Sequence, residues 1–310
     1  MQVRTAAPLL AALCACGGGA PESEHPGATE PAILTDVHRQ ELNVEGVTGL
    51  SDLSRDEDGR TWAVAERKRV ALRVDRPGAA PVVVPLSGIP EELDVEGIAW
   101  IDRERVALAT ESDKGARTGD AVFIARLGPA GIEVVERRDL DYKIWPLDPI
   151  GNQGLEGVCR AGGALVVAVE TVFANPDERF APVAVHELAT NRWWPFLVRL
   201  TTRTGKISAL ACTERRDRSL DVMAIERHFE VARLIRFRIP PDRPSGKPPV
   251  LETVVVAELA PAMIHSENFE GLLWDGARAI SLVVDNDWTS ITGPNLLITA
   301  KLRGGIPEPK

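Results

Sequence analysis

The segment NFEGLLWDGARAISLVVDNDW, residues 268–288, contains two apolar stretches, a tight Asp-Gly turn between them, and a polar end. A Glu-Gly pair leads the first stretch. The second stretch, residues 280–284, is apolar almost throughout, as a strand buried on both faces would be. It ends abruptly in Asp285, Asn286 and Asp287. This pattern indicates a buried strand that emerges into a wet, charged site.

The same plan recurs four more times along the chain. Each unit has a Glu-Gly pair, an apolar strand, a polar turn, a second apolar strand and an acid, and one unit has Ser-Ala instead of Glu-Gly. The first residues of these pairs are Glu45, Glu96, Glu156, Ser208 and Glu270, at intervals of 51, 60, 52 and 62 residues. A repeat of this length built from short strands is typical of a β-propeller. We therefore predict an all-β fold of this architecture.

The number of units predicts five blades, and six is the alternative because the longer units contain insertions. The last unit ends after the strand that begins at Asn295, so it lacks a fourth strand. The strand-like segment 32–42 precedes the first unit. Its pairing with the last blade would close the ring and remove two exposed edges. Residues 32–310 are therefore predicted to form a single propeller domain.

Residues 1–16 have the features of a lipoprotein signal peptide: a short basic start, an apolar run, and a Leu-Cys-Ala-Cys sequence that resembles the bacterial lipobox. Cys16 is the better lipidation site because the small Ala15 precedes it, and an ordinary signal peptide with a chance cysteine is the alternative. Residues 17–31 are rich in glycine, proline and acids, which indicates a flexible tether. We expect a lipid-anchored protein of the bacterial cell envelope, at the outer membrane.

The net charge of −9 argues against a nucleic acid or an anionic membrane surface as partner. The expected partners are a small anionic substrate or an envelope protein, with membrane contact through the lipid alone. Cys159 and Cys212 remain in the mature chain and lie in neighbouring repeats. An exported protein could join them, but two separately buried thiols is the simpler prediction.

The first strand of each propeller blade lines the central channel, so residues at the same place in each repeat form a ring. The predicted ring consists of Glu45, Glu96, Glu156 and Glu270. Carboxylates this close raise one another's pKa, and a divalent cation would relieve the repulsion. Several oxygen ligands fit Ca²⁺ better than Mg²⁺. A repeated Glu could instead accept backbone N–H groups of the next blade and bind nothing, while the Gly after it favours close backbone approach.

A second set of acids ends the second strands: Glu66, Glu111, Glu170, Glu226 and Asp285. Two strands joined by a hairpin bring such residues to the end of the sheet where the first set lies. Three acids are candidate catalytic groups: Glu226, Asp285 and Asp287. Three nearby cationic groups are candidates for binding an anionic substrate: Arg67, Arg227 and His228. Asn286 is a further candidate metal ligand.

Three segments carry a family resemblance: GLSDLSRDEDGRTWAVAE (49–66), NQGLEGV (152–158), and NFEGLLWD with VVDND (268–287). Together they resemble the exported bacterial family described as the esterase-like activity of phytase. The resemblance extends over nearly the whole mature chain and implies hydrolysis of a phosphomonoester or a carboxylester. The run at Glu270 is also similar to the calcium-dependent gluconolactonase and paraoxonase propellers. That similarity implies a catalytic metal held by Glu45 and Glu270, with Asp285 and Asn286 as partners.

Two functions follow from these observations. The first is a Ca²⁺-dependent hydrolase of a phosphoester, ester or lactone, in which Glu226 or Asp285 acts as base and Arg67 or Arg227 holds the anionic end of the substrate. The second is a non-catalytic envelope protein that binds a ligand or a protein on the propeller face. The fold alone does not separate them, because propellers serve both purposes.

Overall fold

The computed structural model describes residues 30–112, 115–145, 147, 153–174, 178–228, 231–243, 246–263, 268–287 and 293–309. The predicted signal peptide, Cys16 and nearly all of the tether lie outside these residues. The described part is built from β-strands with two short 3₁₀ turns, Tyr142–Ile144 and Ala260–Ala262. It includes no helix long and apolar enough to span a membrane. The all-β prediction is confirmed.

The first strand, β1 (Ile33–Glu41), belongs to the sheet of the C-terminal residues and is described with it. The next eight strands form one sheet. They are β2 (Leu50–Arg55), β3 (Thr61–Ala65), β4 (Val70–Val74), β5 (Val82–Ser87), β6 (Leu93–Trp100), β7 (Arg105–Ser112), β8 (Gly119–Gly128) and β9 (Gly131–Asp141). Two antiparallel groups of four, β2 to β5 and β6 to β9, are joined by parallel pairing of β5 with β9.

The second sheet contains the third repeat. Its strands are β10 (Leu155–Ala161), β11 (Ala164–Val169), β12 (Phe173–Ala174), β13 (Arg179–Glu187), β14 (Arg192–Arg199) and β18 (Val250–Leu251). The order is β10-β11-β13-β14-β18, and the short β12 pairs with β13. The edge strand β18 comes from the fourth repeat and pairs in parallel with β14.

The third and fourth sheets each have four strands. The third contains β15 (Lys206–Glu214), β16 (Leu220–His228), β17 (Val231–Ile239) and β19 (Thr253–Glu258), in that order. The fourth contains β20 (Asn268–Trp274), β21 (Ala279–Asp285) and β22 (Leu296–Arg303), followed by β1. β1 runs antiparallel to β22, with Leu34 opposite Leu302.

The first strands of the five repeats surround a common axis. β2 contacts β6, β6 contacts β10, β10 contacts β15, β15 contacts β20, and β20 contacts β2. The remaining strands of each repeat lie farther out. This is the arrangement of a β-propeller, and it places equivalent residues of the first strands opposite one another.

Apolar side chains fill the wedges between neighbouring repeats. Every residue of β11 is buried, as its unbroken apolar sequence predicts. In the wedge between the first two repeats, the rings of Trp62 and Trp100 lie 5.0 Å apart. The indole N–H of Trp62 donates to the Asp56 carboxylate at 2.8 Å, which satisfies its one polar atom. The core is thus divided into wedges and leaves the axis free for polar groups.

Cys159 and Cys212 form a disulfide, with their Cα atoms 5.7 Å apart, so the prediction of two separate thiols is wrong. The two cysteines lie on β10 and β15, adjacent first strands whose packing could not be read from the sequence. The bond closes a segment of 53 residues. By the chain-entropy model a loop of this length stabilises the fold by about 4 kcal/mol.

Candidate functional site

Each first strand contains a β-bulge at the equivalent place. The pairing register shifts between Leu50 and Asp52, Val95 and Gly97, Leu155 and Gly157, Ile207 and Ala209, and Phe269 and Gly271. A bulge leaves one residue without a partner across the strand pair and re-aims its side chain. The bulge residues are Ser51, Glu96, Glu156, Ser208 and Glu270. We refer to these five residues as the bulge ring.

The bulge ring corrects the predicted place of Glu45. Glu45 is exposed in the turn before β2, and Ser51 occupies the ring position of the first repeat. The hydroxyl of Ser51 donates to the Val95 carbonyl of the next repeat at 2.6 Å. Sequence spacing held a signal for this: Ser51 precedes Glu66 by 15 residues, an interval that recurs in two other repeats, whereas Glu45 precedes it by 21.

The glycine after two of the ring residues is needed for backbone packing. A Cβ on Gly97 would lie 2.9 Å from the backbone nitrogen of Val158 in the next repeat. A Cβ on Gly271 would lie 2.9 Å from the backbone of Asp52. Real Cβ atoms do not approach that closely, so the predicted close approach of backbones is confirmed at these two Glu-Gly pairs. A Cβ on Gly157 would make an ordinary contact at 3.4 Å, and one on Gly46 would meet no atom within 4 Å.

The second-strand position beside the ring is set by the same register. In repeats one, two, three and five this position holds an acid: Glu66, Glu111, Glu170 and Asp285. In the fourth repeat it holds the cationic Arg227. The exception arises because Ile207, the residue before the bulge, pairs with Glu226 itself. A shift of one residue turns a side chain to the other face of a strand.

Glu226 is therefore not placed with the other acids. Its carboxylate is fully buried and accepts hydrogen bonds from the hydroxyls of Thr201 and Thr202, both at 2.6 Å. It also accepts from their backbone N–H groups at 3.0 and 2.9 Å. Glu226 therefore stabilises the loop before β15. The prediction that it lies among the catalytic acids is wrong.

The bulge ring, the second-strand positions and the residues two places before the ring form one cluster that we call the funnel. The residues two places before the ring are Gly49, Asp94, Gly154, Lys206 and Asn268. The Asn268 amide donates to Glu270 at 2.7 Å and to Asp285 at 3.0 Å. Glu111 accepts the Gly154 N–H at 2.6 Å. The three sets of residues therefore face one another, as two of the sets were predicted to do.

The funnel carboxyls perturb one another electrostatically. Burial raises the pKa of Glu66 to about 7, and the neighbouring charges of Glu270, Asp94 and Asp285 add to the effect while Arg67 opposes it. The repulsion between like charges that the sequence predicted is thus present.

The same perturbation extends to the second repeat and to the bulge ring. Burial also raises the pKa of Glu111 to about 7, against the opposing effects of the Gly154 N–H and of Arg117. The three ring glutamates, Glu96, Glu156 and Glu270, have their pKa values raised, first by burial and then by neighbouring carboxyls.

Three of these carboxyls form a candidate cation site. Oxygens of Glu66, Asp94 and Glu96 all lie within 4.8 Å of one another. Glu96 is 5 % exposed, and its carboxylate has no hydrogen bond or ion pair with any residue in the described part of the chain. Arg67 lies at the outer side, 2.8 Å from Glu66 and 3.5 Å from Asp94. Sequence reasoning missed Asp94, although it pairs directly with Glu111 across β6 and β7.

The polar end of β21 lies at the edge of the funnel. Asp285 is buried and accepts the backbone N–H of Asp287 at 2.8 Å. A Cβ on Gly49 would lie 3.2 Å from the Cβ of Asp287, so these groups are close to the first repeat. The Asn286 side-chain oxygen accepts the Gly49 N–H at 3.0 Å, and its amide donates to the Gly293 carbonyl at 2.5 Å. Asn286 thus connects the end of β21 with the first repeat.

The fourth repeat contributes cations. Arg227 forms an ion pair with Glu270, and Lys206 forms one with Glu170. Burial lowers the pKa of Lys206, and the negative charge of Glu156 opposes that effect. His228 follows at the half-buried end of β16. The sequence analysis did not identify Lys206 as a site residue. Its position two residues before the ring residue Ser208 could have identified it, because the fifth repeat has Asn268 at the equivalent position.

Comparison with solved structures finds distant similarities of fold. A putative glucose dehydrogenase from Thermus thermophilus is 12 % identical, with a TM-score of 0.45 over 84 % of this chain and 99 % of that chain. The PQQ-bound aldose sugar dehydrogenase of Streptomyces coelicolor is 11 % identical, with a TM-score of 0.44 over 86 % and 98 %. Virginiamycin B lyase of Staphylococcus aureus is 12 % identical, with a TM-score of 0.40 over 86 % and 100 %. Similarities this distant carry no assignment of activity.

Comparison with sequence families is more informative. No curated protein matches the chain. A family model described as "Phytase-like: Esterase-like activity of phytase" matches residues 45–288, which include four of the five repeats completely and all residues of the funnel. The resemblance noted in the sequence is confirmed. The chain belongs to the phytase-like family described by esterase-like activity of phytase.

Proposed function

We propose that the protein is a divalent-cation-dependent hydrolase of a small anionic phosphoester, ester or lactone, with its active site in the funnel. The observation that carries the proposal is the carboxylate of Glu96. It is buried, without a partner in the described part of the chain, and within 4.8 Å of carboxylate oxygens of Glu66 and Asp94. An unpaired buried carboxylate is costly, and a bound cation would compensate for that cost.

The architecture that supports this site is a five-bladed propeller closed by β1. The cyclic contacts of β2, β6, β10, β15 and β20 support five blades. The pairing of β1 with β22 supports closure by the N-terminal strand, because it completes a four-stranded sheet. The envelope location and lipidation at Cys16 are part of the proposal and are supported by the lipobox-like sequence alone.

The residues of the funnel suit a hard cation. Calcium binds six to eight oxygens in flexible geometry, and the carboxylates of Glu66, Asp94 and Glu96 offer several. The nearby Glu156 is 9 % exposed and also has no hydrogen bond or ion pair with any described residue, so it can complete the ligand set. When bound, the cation would polarise the scissile ester and lower the pKa of a water molecule.

The protein residues would supply binding and proton transfer. Arg67 is bonded to Glu66 and Asp94, and a bound cation would release its guanidinium to hold the anionic end of the substrate. Arg227 lies on the fourth repeat and would contribute to the same task, whereas the adjacent His228, predicted to join it, lies on the other face of β16 with Glu226. Asp285 stays fixed by Asn268 and by the Asp287 N–H, and can accept the proton of the attacking water. Asp287 lies beside it at the funnel edge.

The proposal is tested by calorimetric titration of the full chain with CaCl₂. We expect wild-type binding and a loss of at least tenfold in affinity for Glu96→Gln, because the variant removes a buried carboxylate ligand that has no other partner among the described residues. The matched control is Glu45→Gln, an exposed residue outside the bulge ring, which should bind as wild type. Hydrolysis of p-nitrophenyl phosphate and p-nitrophenyl acetate is then measured with CaCl₂ and with EDTA.

Absence of binding at millimolar CaCl₂ would refute the cation site. Equal losses in Glu96→Gln and Glu45→Gln would show that Glu66, Asp94 and Glu96 are not the ligand set. Binding without hydrolysis of either ester would favour the non-catalytic envelope binding protein.

A further inference from the structure

The residue after each ring residue packs against the first strand of a neighbouring repeat, and in one repeat it is an acid. The five residues at this position are Asp52, Gly97, Gly157, Ala209 and Gly271. Asp52 is fully buried. The backbone of Gly271 packs directly against it, since a Cβ there would lie 2.9 Å from the Asp52 backbone. The Asp52 side chain therefore occupies a space at the axis that is too small for a side chain from each of the five repeats.

Backbone N–H groups from four repeats converge on the Asp52 carboxylate. One oxygen accepts from Leu53 at 2.7 Å and the other from Ile98 at 2.9 Å. The backbone N–H groups of Val158 and Leu272 lie near enough to lower its pKa. Each donor lies two residues after a member of the bulge ring. The carboxylate thus contacts the strand segments next to Ser51, Glu96, Glu156 and Glu270.

This environment offers hydrogen-bond donors to a carboxyl group. Converging backbone N–H groups form a concavity that suits a hydrogen-bond acceptor, and hydrogen bonds to a charged acceptor are stronger than those to a neutral one. Burial raises the pKa of Asp52 well above its ordinary value, and the four N–H groups offset that effect only in part. The neighbours are donors, and no ion pair joins Asp52 to a cationic side chain of the described residues, so the backbone alone forms the site.

We propose that the propeller axis is a binding site for a carboxyl group, filled from within by Asp52. Occupation of the site fixes the bulges beside it and so orients the ring glutamates toward the funnel. Asp52 is therefore a positioning residue, and the site itself would accept a small free carboxylic acid or carboxylate once the side chain is removed.

The test is chemical rescue of Asp52→Gly. Glycine already occupies the equivalent position in three repeats, so the backbone tolerates it, and acetate replaces the deleted side chain almost atom for atom. In the full chain we expect Tm to fall by about 5–10 °C. Addition of 50 mM sodium acetate should restore at least half of that loss, and sodium chloride at equal ionic strength should not. Asp52→Ala should respond to formate in the same way.

The matched control is Asp56→Ala. Asp56 is also a buried acid of the first repeat, but its partners include the side chains of Arg60 and Trp62. Its Tm should fall without any response to acetate. A Tm of Asp52→Gly equal to wild type, or one that acetate and chloride change equally, would overturn the proposal.

Refolding provides a second measurement if Asp52→Gly does not fold. The yield of folded protein should then rise at least threefold when acetate replaces chloride in the refolding buffer, and an equal yield in both would overturn the proposal. Neither readout requires a divalent cation. A failure of the hydrolase proposal therefore leaves this test intact, and the reverse also holds.

Discussion

Single carboxyls in the funnel differ in their chemistry because their partners differ. Glu66 faces Arg67 at 2.8 Å, Glu111 accepts one backbone N–H, and Glu96 has no hydrogen bond or ion pair in the described part of the chain. Desolvation dominates all three and favours the protonated form. A residue that repeats in the sequence thus has a different role in each repeat, set by the atoms around it.

The raised pKa of Glu111 predicts a pH dependence of stability. Its pKa is about 7 in the folded chain and near 4.5 when the side chain is free. Between these values the native state binds more protons than the unfolded state, so the free energy of unfolding falls as pH rises from 4.5 to 7. This residue contributes on the order of 3 kcal/mol to the fall.

The measurement is urea denaturation between pH 4.5 and 8 with EDTA present, for wild type and for Glu111→Gln. The variant should show a shallower fall and exceed wild type in stability above pH 7. A pH profile of the variant that overlays that of wild type would contradict the assigned cause.

At the scale of the strand, register decides which face a side chain reaches. In β16 one residue of register separates Glu226, which binds Thr201 and Thr202, from Arg227, which binds Glu270. The strand sequence Glu-Arg-His looks like an acid followed by bases in the same site. The pairing with β15 instead sends adjacent side chains to opposite sides.

Glu226→Ala should therefore reduce stability without affecting the funnel. Removal of the carboxylate leaves the hydroxyl and N–H donors of Thr201 and Thr202 unpaired, and we expect the free energy of unfolding to fall by about 3 kcal/mol. Cation affinity by calorimetry should equal that of wild type. Glu104→Ala, at an exposed turn, serves as control and should change stability by less than about 0.5 kcal/mol. A loss of cation affinity in Glu226→Ala would return this residue to the site.

At the scale of the whole molecule, the first strands surround the funnel and give it an acidic side and a cationic side. Repeats one, two, three and five present acids, and repeat four presents Lys206 and Arg227. In the cyclic order of the first-strand contacts, the fourth repeat lies across from the junction of the first two, where Glu66, Asp94 and Glu96 meet. This charge asymmetry suits a cation on one side and an anionic group on the other.

The pairing of β1 with β22 gives a prediction with an internal control. Leu34 is 6 % exposed and adjacent Ile33 is 58 % exposed, so neighbouring residues of one strand face the core and the solvent. Leu34→Asp should lower Tm by about 6 °C or more, because an unpaired charge would enter the wedge beneath β22. Ile33→Asp should leave Tm within about 1 °C of wild type. The comparison uses differential scanning calorimetry, and equal effects of the two variants would show that β1 is not docked.

The sequence alone determined the class of fold and the family. Apolar strands with period-two and fully apolar patterns, recurring with Glu-Gly at about 50–60 residues, specify short strands in blades because that periodicity is local. The acids of four repeats were found the same way, since spacing within a hairpin is also local.

The tertiary structure decided the remaining features. It placed Ser51 rather than Glu45 in the bulge ring and Arg227 rather than Glu226 beside it, since a bulge is defined by pairing across two strands. It joined Cys159 to Cys212, which depends on how adjacent repeats pack. It also gathered N–H groups from four repeats on Asp52, because closure of the ring brings to one axis groups that are far apart in the chain.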